Sequence, residues 1–164
     1  MAIKITSVSD LPNTPAVYAM YGSQGRGLYV VYVGNAGRLR NRVVLHLIRR
    51  NSSVVTGTSA VVLNPDYVTE LKWWEHPNFS ERHAREAAEL VAFEMLDPAL
   101  RSRGTISEQA KQLSEDRSFL EKMFILFDGQ PTGQYVILTL QDAINKIETL
   151  ERRFEEIKKK LISE

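Results

Sequence analysis

The chain has 164 residues, 43% of them hydrophobic and 25% charged, a composition that fits one globular domain and excludes disordered, collagen-like and membrane-spanning classes. The net charge is only +1, but residues 1–50 carry +6 and the remainder −5, so we expect a local anion-binding surface. The absence of cysteine excludes disulfides, thiolate metal sites and cysteine nucleophiles, and together with an N-terminus unlike a signal peptide it indicates a cytoplasmic protein.

The first predicted elements are two strands joined by a turn. AVYAMY (16–21) and LYVVYVG (28–34) are rich in valine and tyrosine, and GSQGRG (22–27) between them is turn-like. This pattern predicts a β-hairpin. Because both runs are largely apolar on both faces, we expect strands that are covered on both sides.

A helix is predicted over 36–50, where apolar residues recur on one side. Placed at 100° intervals, that side contains Leu39, Val43, Val44, Leu47 and Ile48. Arg38, Arg42, His46 and Arg49 form a narrow stripe with no acidic residue to neutralise it. The candidate nucleic-acid contacts of this region are Arg38, Arg40, Arg49 and Arg50. A solvated basic helix face without a ligand explains the charge equally well.

A third strand is predicted over 67–76, after a loop over 51–66. Ser80 is the predicted N-cap of a helix over 81–96, and Asp97-Pro98 ends that helix. A further helix over 107–127 and a short strand over 134–138 follow.

The last predicted helix has a heptad pattern. Its apolar residues are Leu140, Ala143, Ile147, Leu150, Phe154, Ile157 and Leu161. We expect the segment 139–164 to drive homodimerisation, although three heptads are marginal for an isolated coiled coil and the helix packing on its own domain is an alternative. An assembly protein that acts through this helix is therefore one candidate function.

Five residues carry the candidate chemistry by their order along the chain. They are Tyr18 in the first strand, Tyr32 at the end of the second, Arg42, His46 one helical turn later, and Glu89 nine residues before Pro98. With AVY (16–18), YVG (32–34) and the stretch YVGNAGRLRNRVVLHL (32–47), the chain resembles the GIY-YIG nuclease family over about residues 11–101.

The resemblance implies an α+β fold with a small three-stranded antiparallel sheet flanked by helices. It places a nuclease domain at 1–101 and leaves 102–164 as a C-terminal helical extension. The implied function is a divalent-metal-dependent endonuclease that hydrolyses phosphodiester bonds of nucleic acid, with DNA as the expected substrate. The implied roles are Tyr18 or Tyr32 as general base, with a slight preference for Tyr18, Arg42 as charge stabiliser and Glu89 as ligand of Mg²⁺ or Mn²⁺. His46 can hydrogen-bond a phosphate or the nucleophile.

These residue types suit phosphodiester hydrolysis. Arg42 supplies a permanently charged fork that matches phosphate, and one carboxylate suits Mg²⁺. A tyrosine of pKa about 10 is ionised only about one part in a thousand at pH 7, so Arg42 and the metal must lower that pKa.

The sequence departs from the family pattern at three positions and leaves one register open. Ala16 replaces the family glycine, Asn35 stands where some members have lysine, and Arg101 stands where many have asparagine. A nucleic-acid-binding module of the same fold that no longer cleaves is therefore a second candidate function. Glu86, one turn before Glu89, is an alternative metal ligand.

Overall fold

A five-stranded mixed sheet forms the centre of the molecule. The computed structural model describes residues 1–24, 27–51, 63–101, 104–137 and 140–162. The strands are β1 (Ile3–Ile5), β2 (Ala16–Gln24), β3 (Gly27–Ala36), β4 (Val68–Trp74) and β5 (Gly133–Val136). Their order is β1-β5-β4-β2-β3, with β1 and β5 parallel and the other pairs antiparallel.

The α+β class and the hairpin of β2 and β3 are confirmed, but the prediction of a three-stranded antiparallel sheet is wrong. β5 pairs with β4, and β1 pairs with β5 in parallel, so the sheet has two further strands at one edge. Gly133 makes the β5 pairing possible, because a Cβ at this position would overlap the ring of Trp73 on β4. Neither short strand has a hydrophobic pattern long enough to indicate this pairing.

Five α-helices accompany the sheet in the described part of the chain. They are α1 (Leu39–Val43), α2 (Arg82–Leu96), α3 (Glu108–Glu115), α4 (Arg117–Asp128) and α5 (Leu140–Ile162). None of the helices within the described ranges has both the length and the apolar character needed to cross a membrane.

Two helix boundaries differ from the predictions. Ser80 belongs to a short 3₁₀ turn, and Glu81 is the N-cap of α2. The predicted helix over 107–127 is two helices, because the Asp116 side chain accepts a hydrogen bond from the Phe119 amide at 2.8 Å and begins a new helix there. Most of the predicted loop, residues 52–62, lies outside the described residues.

The core has two layers, one on each face of the sheet. Tyr18, Met20 and Trp73 pack on the face that carries α1. Val17 and Val33 point to the opposite face, where α2 and α4 cover them. Since successive strand residues alternate between faces, this arrangement explains why β2 and β3 are apolar on both sides, as predicted.

The predicted helix over 36–50 is shorter and changes its geometry. The α-helical part is α1, and residues Val44–Ile48 continue it as a π-helical turn, in which the Arg49 amide donates to the Val44 carbonyl at 2.9 Å. A π turn shifts the side chains after it relative to a regular 100° spacing. Consequently His46 is 0% exposed and Ile48 is 57% exposed, so the predicted stripe and apolar side are wrong at these two positions.

The predicted C-terminal helix is confirmed as α5, and its apolar side is exposed in the single chain. Ile147, Leu150 and Phe154 are each more than half exposed, and the same holds for Ile157 and Leu161. The alternative of this helix packing on its own domain is therefore not what the structure shows.

Candidate active site

Two tyrosines from neighbouring strands meet at the centre of the site. Tyr18 on β2 lies opposite Gly34 on β3, and its ring centroid is 6.1 Å from that of Tyr32. A Cβ at Gly34 would lie 2.7 Å from the Tyr18 hydroxyl oxygen and 2.9 Å from Cε1 of Tyr32. Glycine after Tyr32-Val33 is thus required for both rings to approach the backbone at this point.

The π-helical turn brings His46 into contact with this pair. The His46 ring centroid is 5.6 Å from that of Tyr32, and Nε2 is hydrogen-bonded to the Tyr18 hydroxyl at 2.9 Å. Burial, and then the charge of Arg42, lower the pKa of His46 to about 4. His46 is therefore a neutral imidazole at pH 7, buried behind the tyrosines.

The burial of neutral His46 predicts a loss of stability in mild acid. The unfolded chain takes up the proton below about pH 6.5, whereas the folded protein resists it down to about pH 4. The free energy of unfolding should therefore fall as the pH is lowered through this window, by about 3 kcal/mol in total from this group. Urea unfolding at several pH values between 7 and 4 measures the loss.

The matched variant is His46→Gln, which keeps a polar side chain but cannot titrate. Its free energy of unfolding at pH 7 should be lower than that of the wild type, since the fit to Tyr18 is disturbed. Its decline between pH 7 and 4 should be shallower, because only the other titratable groups contribute. Parallel curves for the two proteins would show that His46 is not buried as a neutral ring.

Arg42 from α1 lies beside both tyrosine hydroxyls. It interacts with each of them by charge and by hydrogen bonding. Burial opposes its charge, but the two tyrosine oxygens outweigh that effect and raise its pKa above the usual value. Within the described residues, the buried Nε atom of Arg42 has no hydrogen-bond partner.

Both tyrosines are protonated at neutral pH. Burial raises the pKa of Tyr18 well above its usual value, and the neighbouring Tyr32 adds to the effect. Burial also raises the pKa of Tyr32, and the charge of Glu89 raises it further. Arg42 lowers both pKa values as expected from the sequence, but in this structure its effect is smaller than that of burial.

Glu89 extends from α2 into a polar cavity of about 310 Å³. Its side chain is almost fully buried, and the Asn35 amide on β3 donates a hydrogen bond to its Oε2. The cavity is lined by Tyr32, Asn35, Arg42, Arg82, Arg85, Glu86, Glu89, Gly104, Thr105 and Ile106. Tyr32 is thus part of the wall, whereas Tyr18 and His46 lie behind it and are fully buried.

Glu86 also faces this cavity, but its oxygens already have structural partners. Arg82 Nε donates to Oε1 at 2.8 Å, and the Ser107 amide and hydroxyl donate to Oε2 at 3.2 and 2.8 Å. Burial opposes its ionisation, yet the donors from Ser107 and Arg82 together lower the pKa of Glu86. Glu86 therefore ties α2 to the start of α3.

Three cavity residues with charged or amide side chains are absent from the predicted site. The sequence marks Asn35 only as a departure from the family pattern, and it assigns no role to Arg82 or Arg85. The signal is nevertheless present, because Arg82 and Arg85 precede Glu89 by seven and four residues and so share its helix face. Arg85 Nη1 donates to the Phe79 carbonyl at 2.6 Å, which fixes its guanidinium beside the site.

The four predicted nucleic-acid contacts differ in their availability. Arg40 donates to the Leu11 carbonyl at 2.7 Å, and Arg50 forms an ion pair with Asp66 at 2.5 Å. Arg38 and Arg49 are exposed. Arg38 also lines a second cavity of about 250 Å³, which shares Asn35 and Arg42 with the first. The two cavities are therefore adjacent, and we call them together the candidate groove.

The residues of the first cavity fit a divalent ion held by one carboxylate. In the described part of the chain, no three or more His, Cys, Asp or Glu side chains gather in a group that could hold a metal, so a closed protein cage is not formed there. Mg²⁺ commonly takes one or two carboxylates and completes its shell with water and substrate phosphate. Glu89 supplies such a carboxylate, and the arginines around it favour a phosphate beside the ion.

Comparisons of this chain with protein-family models, with curated proteins and with solved structures found no match.

Proposed function

We propose that this protein is a divalent-metal-dependent endonuclease of the GIY-YIG type that hydrolyses phosphodiester bonds in nucleic acid. The observation that carries the proposal is the convergence of Tyr18, Tyr32, Arg42, His46 and Glu89 on one site. They come from two strands and two helices, and three of them line one polar cavity. Residues that resemble the family in their order along the chain thus also meet in space.

Arg42 is the group proposed to stabilise the transition state. Phosphodiester hydrolysis places negative charge on the transferring phosphorus oxygens and on the leaving oxygen. Arg42 lies in the cavity wall with a buried and unpaired Nε among the described residues. The permanent positive charge of this guanidinium, in the cavity wall, suits a phosphate bound in the cavity.

Glu89 is the residue proposed to hold Mg²⁺ or Mn²⁺. The ion supplies positive charge beside the scissile phosphate. The negative charge of Glu89 raises the pKa of Tyr32. A bound cation would offset that negative charge. Loading the site with a cation should therefore favour ionisation of Tyr32.

Tyr32 is the proposed general base, because this residue lines the cavity and Tyr18 does not. Tyr18 and His46 then act behind it. If the ring proton of His46 is on Nε2, His46 donates to the Tyr18 oxygen, and the Tyr18 hydroxyl is free to donate to Tyr32. This chain of donors stabilises the Tyr32 oxygen in its ionised form.

Metal-dependent nicking of supercoiled plasmid tests the proposal. The wild-type protein should convert plasmid to open circles with Mg²⁺ or Mn²⁺, and chelation of the metal should stop the reaction. Single-stranded DNA and duplex RNA serve as parallel substrates, since the phosphate chemistry does not distinguish them.

The second candidate function is nucleic-acid binding without cleavage. Its supporting observation is the hydrogen bond from Asn35 to Glu89, which occupies one oxygen of the carboxylate that a metal requires. Binding of all three substrates with no cleavage under any metal condition would favour this function over the nuclease.

Two exposed arginines near the candidate groove, Arg38 and Arg49, should govern the salt dependence of binding. Arg38→Ala combined with Arg49→Ala removes two positive charges that can contact phosphates. The slope of log K against log[salt] on duplex DNA should become shallower by roughly 1 to 2 units, because each neutralised phosphate contributes about 0.9 to the slope. Fluorescence anisotropy at several salt concentrations measures the slope.

The control is Lys111→Ala combined with Arg117→Ala, which removes the same charge from α3 and α4. These residues already pair with Glu108 and Glu121, on helices that lie across the sheet from α1. The slope of this variant should equal that of the wild type. An unchanged slope for the Arg38 and Arg49 variant would place the nucleic acid on another surface.

A further inference from the structure

The apolar side of α5 forms a continuous seam outside the two core layers. α5 has 23 residues, and the exposed fraction along the seam ranges from 55% at Leu150 to 71% at Leu161. A helix with this much exposed apolar surface gains stability by packing against another helix.

The spacing assigns the heptad positions of this seam without ambiguity. Apolar residues alternate at steps of three and four, which puts Ile147, Phe154 and Leu161 at a and Ala143, Leu150 and Ile157 at d. The flanking e positions are Ile144, Glu151 and Lys158, and the g positions are Lys146, Arg153 and Lys160.

The flanking charges distinguish the two orientations that a pair of α5 helices can take. In a parallel pair, each g residue faces the e residue five positions later on the other helix. Lys146 then faces Glu151 of the second copy, an attractive pair that occurs twice, while Arg153 faces Lys158 unfavourably. In an antiparallel pair g faces g, and every such contact joins two basic residues. The parallel arrangement is therefore the less repulsive of the two.

We propose that α5 pairs with α5 of a second copy of this chain as a parallel two-stranded coiled coil. The apolar seam of one copy can pack against the same seam of the second copy. Lys146 of each copy then pairs with Glu151 of the other. Because α5 follows the sheet domain in each chain, a parallel pair holds both domains at the same end. Once one copy of the candidate groove has bound a nucleic acid, the second copy is held close to the same molecule. Its effective concentration for binding there is therefore high. The pairing itself does not depend on the proposed nuclease function.

Disulfide trapping tests the orientation directly, since the 164-residue chain has no cysteine of its own. In a parallel coil, a cysteine at position 143 faces its counterpart at a distance suited to a disulfide. Ala143→Cys should give a covalent dimer under mild oxidation. The control Asn145→Cys, at the outer f position, should remain largely uncrosslinked. A cross-link between Ala143→Cys and Leu161→Cys in a mixture of the two proteins, without the 143 homodimer, would overturn the parallel arrangement.

A charge reversal tests the same geometry without oxidation. Lys158→Glu converts both repulsive contacts with Arg153 of the second copy into attractive ones, so the dimer dissociation constant should fall about fivefold to tenfold. Lys159→Glu makes the same charge change at the outer f position and should leave the constant nearly unchanged. Analytical ultracentrifugation measures both. A monomeric mass for the wild type at all concentrations, or equal effects of the two variants, would overturn the proposal.

Discussion

Glu89→Gln should lower the rate of metal-dependent plasmid nicking by about a thousandfold, corresponding to several kcal/mol of transition-state stabilisation. Glutamine has the same length and can still accept the hydrogen bond from Asn35, so the cavity should keep its shape. What it removes is the negative charge that holds the divalent ion. The affinity for Mn²⁺, followed by its electron paramagnetic resonance signal in titrations of the protein, should fall together with the rate.

Glu86→Gln is the matched control, one helical turn away in the same cavity. Because Glu86 accepts hydrogen bonds from Arg82 and Ser107, its loss of charge should lower the free energy of unfolding by about 1 to 3 kcal/mol. Its Mn²⁺ affinity should stay close to that of the wild type. If Glu86→Gln loses metal and cleavage while Glu89→Gln keeps both, the metal ligand is Glu86.

Elements with a strong local pattern could be predicted from the sequence. β2, β3, α2 and α5 each contain enough consecutive residues for the hydrophobic period to identify them. The edge strands could not be found in this way, since β1 has three residues and its place depends on pairing with β5 from the far end of the chain. The β5 pairing in turn depends on Gly133 fitting against Trp73, a contact between residues 60 positions apart in sequence.

The candidate site was predictable in its membership more than in its geometry. The order of Tyr18, Tyr32, Arg42, His46 and Glu89 suggested one site, and the fold brings them together. The burial of His46 was not predictable, because periodicity assumes a regular helix and the π-helical turn Val44–Ile48 breaks that assumption. The environments of Glu86 and Glu89 were equally hidden, since Ser107 and Asn35 reach them from other elements.

The two tyrosines illustrate how burial changes the interpretation of equal residue types. The sequence alone slightly favours Tyr18 as the base. In the structure Tyr18 is enclosed between Gly34, Tyr32 and His46, whereas Tyr32 faces the cavity that contains Glu89 and Arg42. A base must reach the proton it removes, so exposure to the cavity favours Tyr32.

Tyr32→Phe should abolish the ionisation in the pH–rate profile and lower the cleavage rate by about 10² to 10⁴-fold, the usual contribution of a general base. Since burial and Glu89 raise the pKa of Tyr32, the wild-type rate should increase with pH from neutral into the alkaline range. Tyr32→Phe should remove that increase while preserving the packing of the ring. Single-turnover plasmid nicking at saturating Mg²⁺ across this pH range measures both effects.

Tyr18→Phe provides the comparison, because it deletes a hydroxyl that contacts Tyr32 and His46 but does not line the cavity. Its profile should keep the ionisation and move it to higher pH, since the ionised Tyr32 loses a hydrogen-bond donor. The rate at neutral pH should fall by about tenfold for a rise of about one unit in the pKa of Tyr32, because the ionised fraction falls tenfold. If instead Tyr18→Phe removes the ionisation and Tyr32→Phe retains it, the proton leaves through Tyr18, and the buried pair with His46 is the catalytic base.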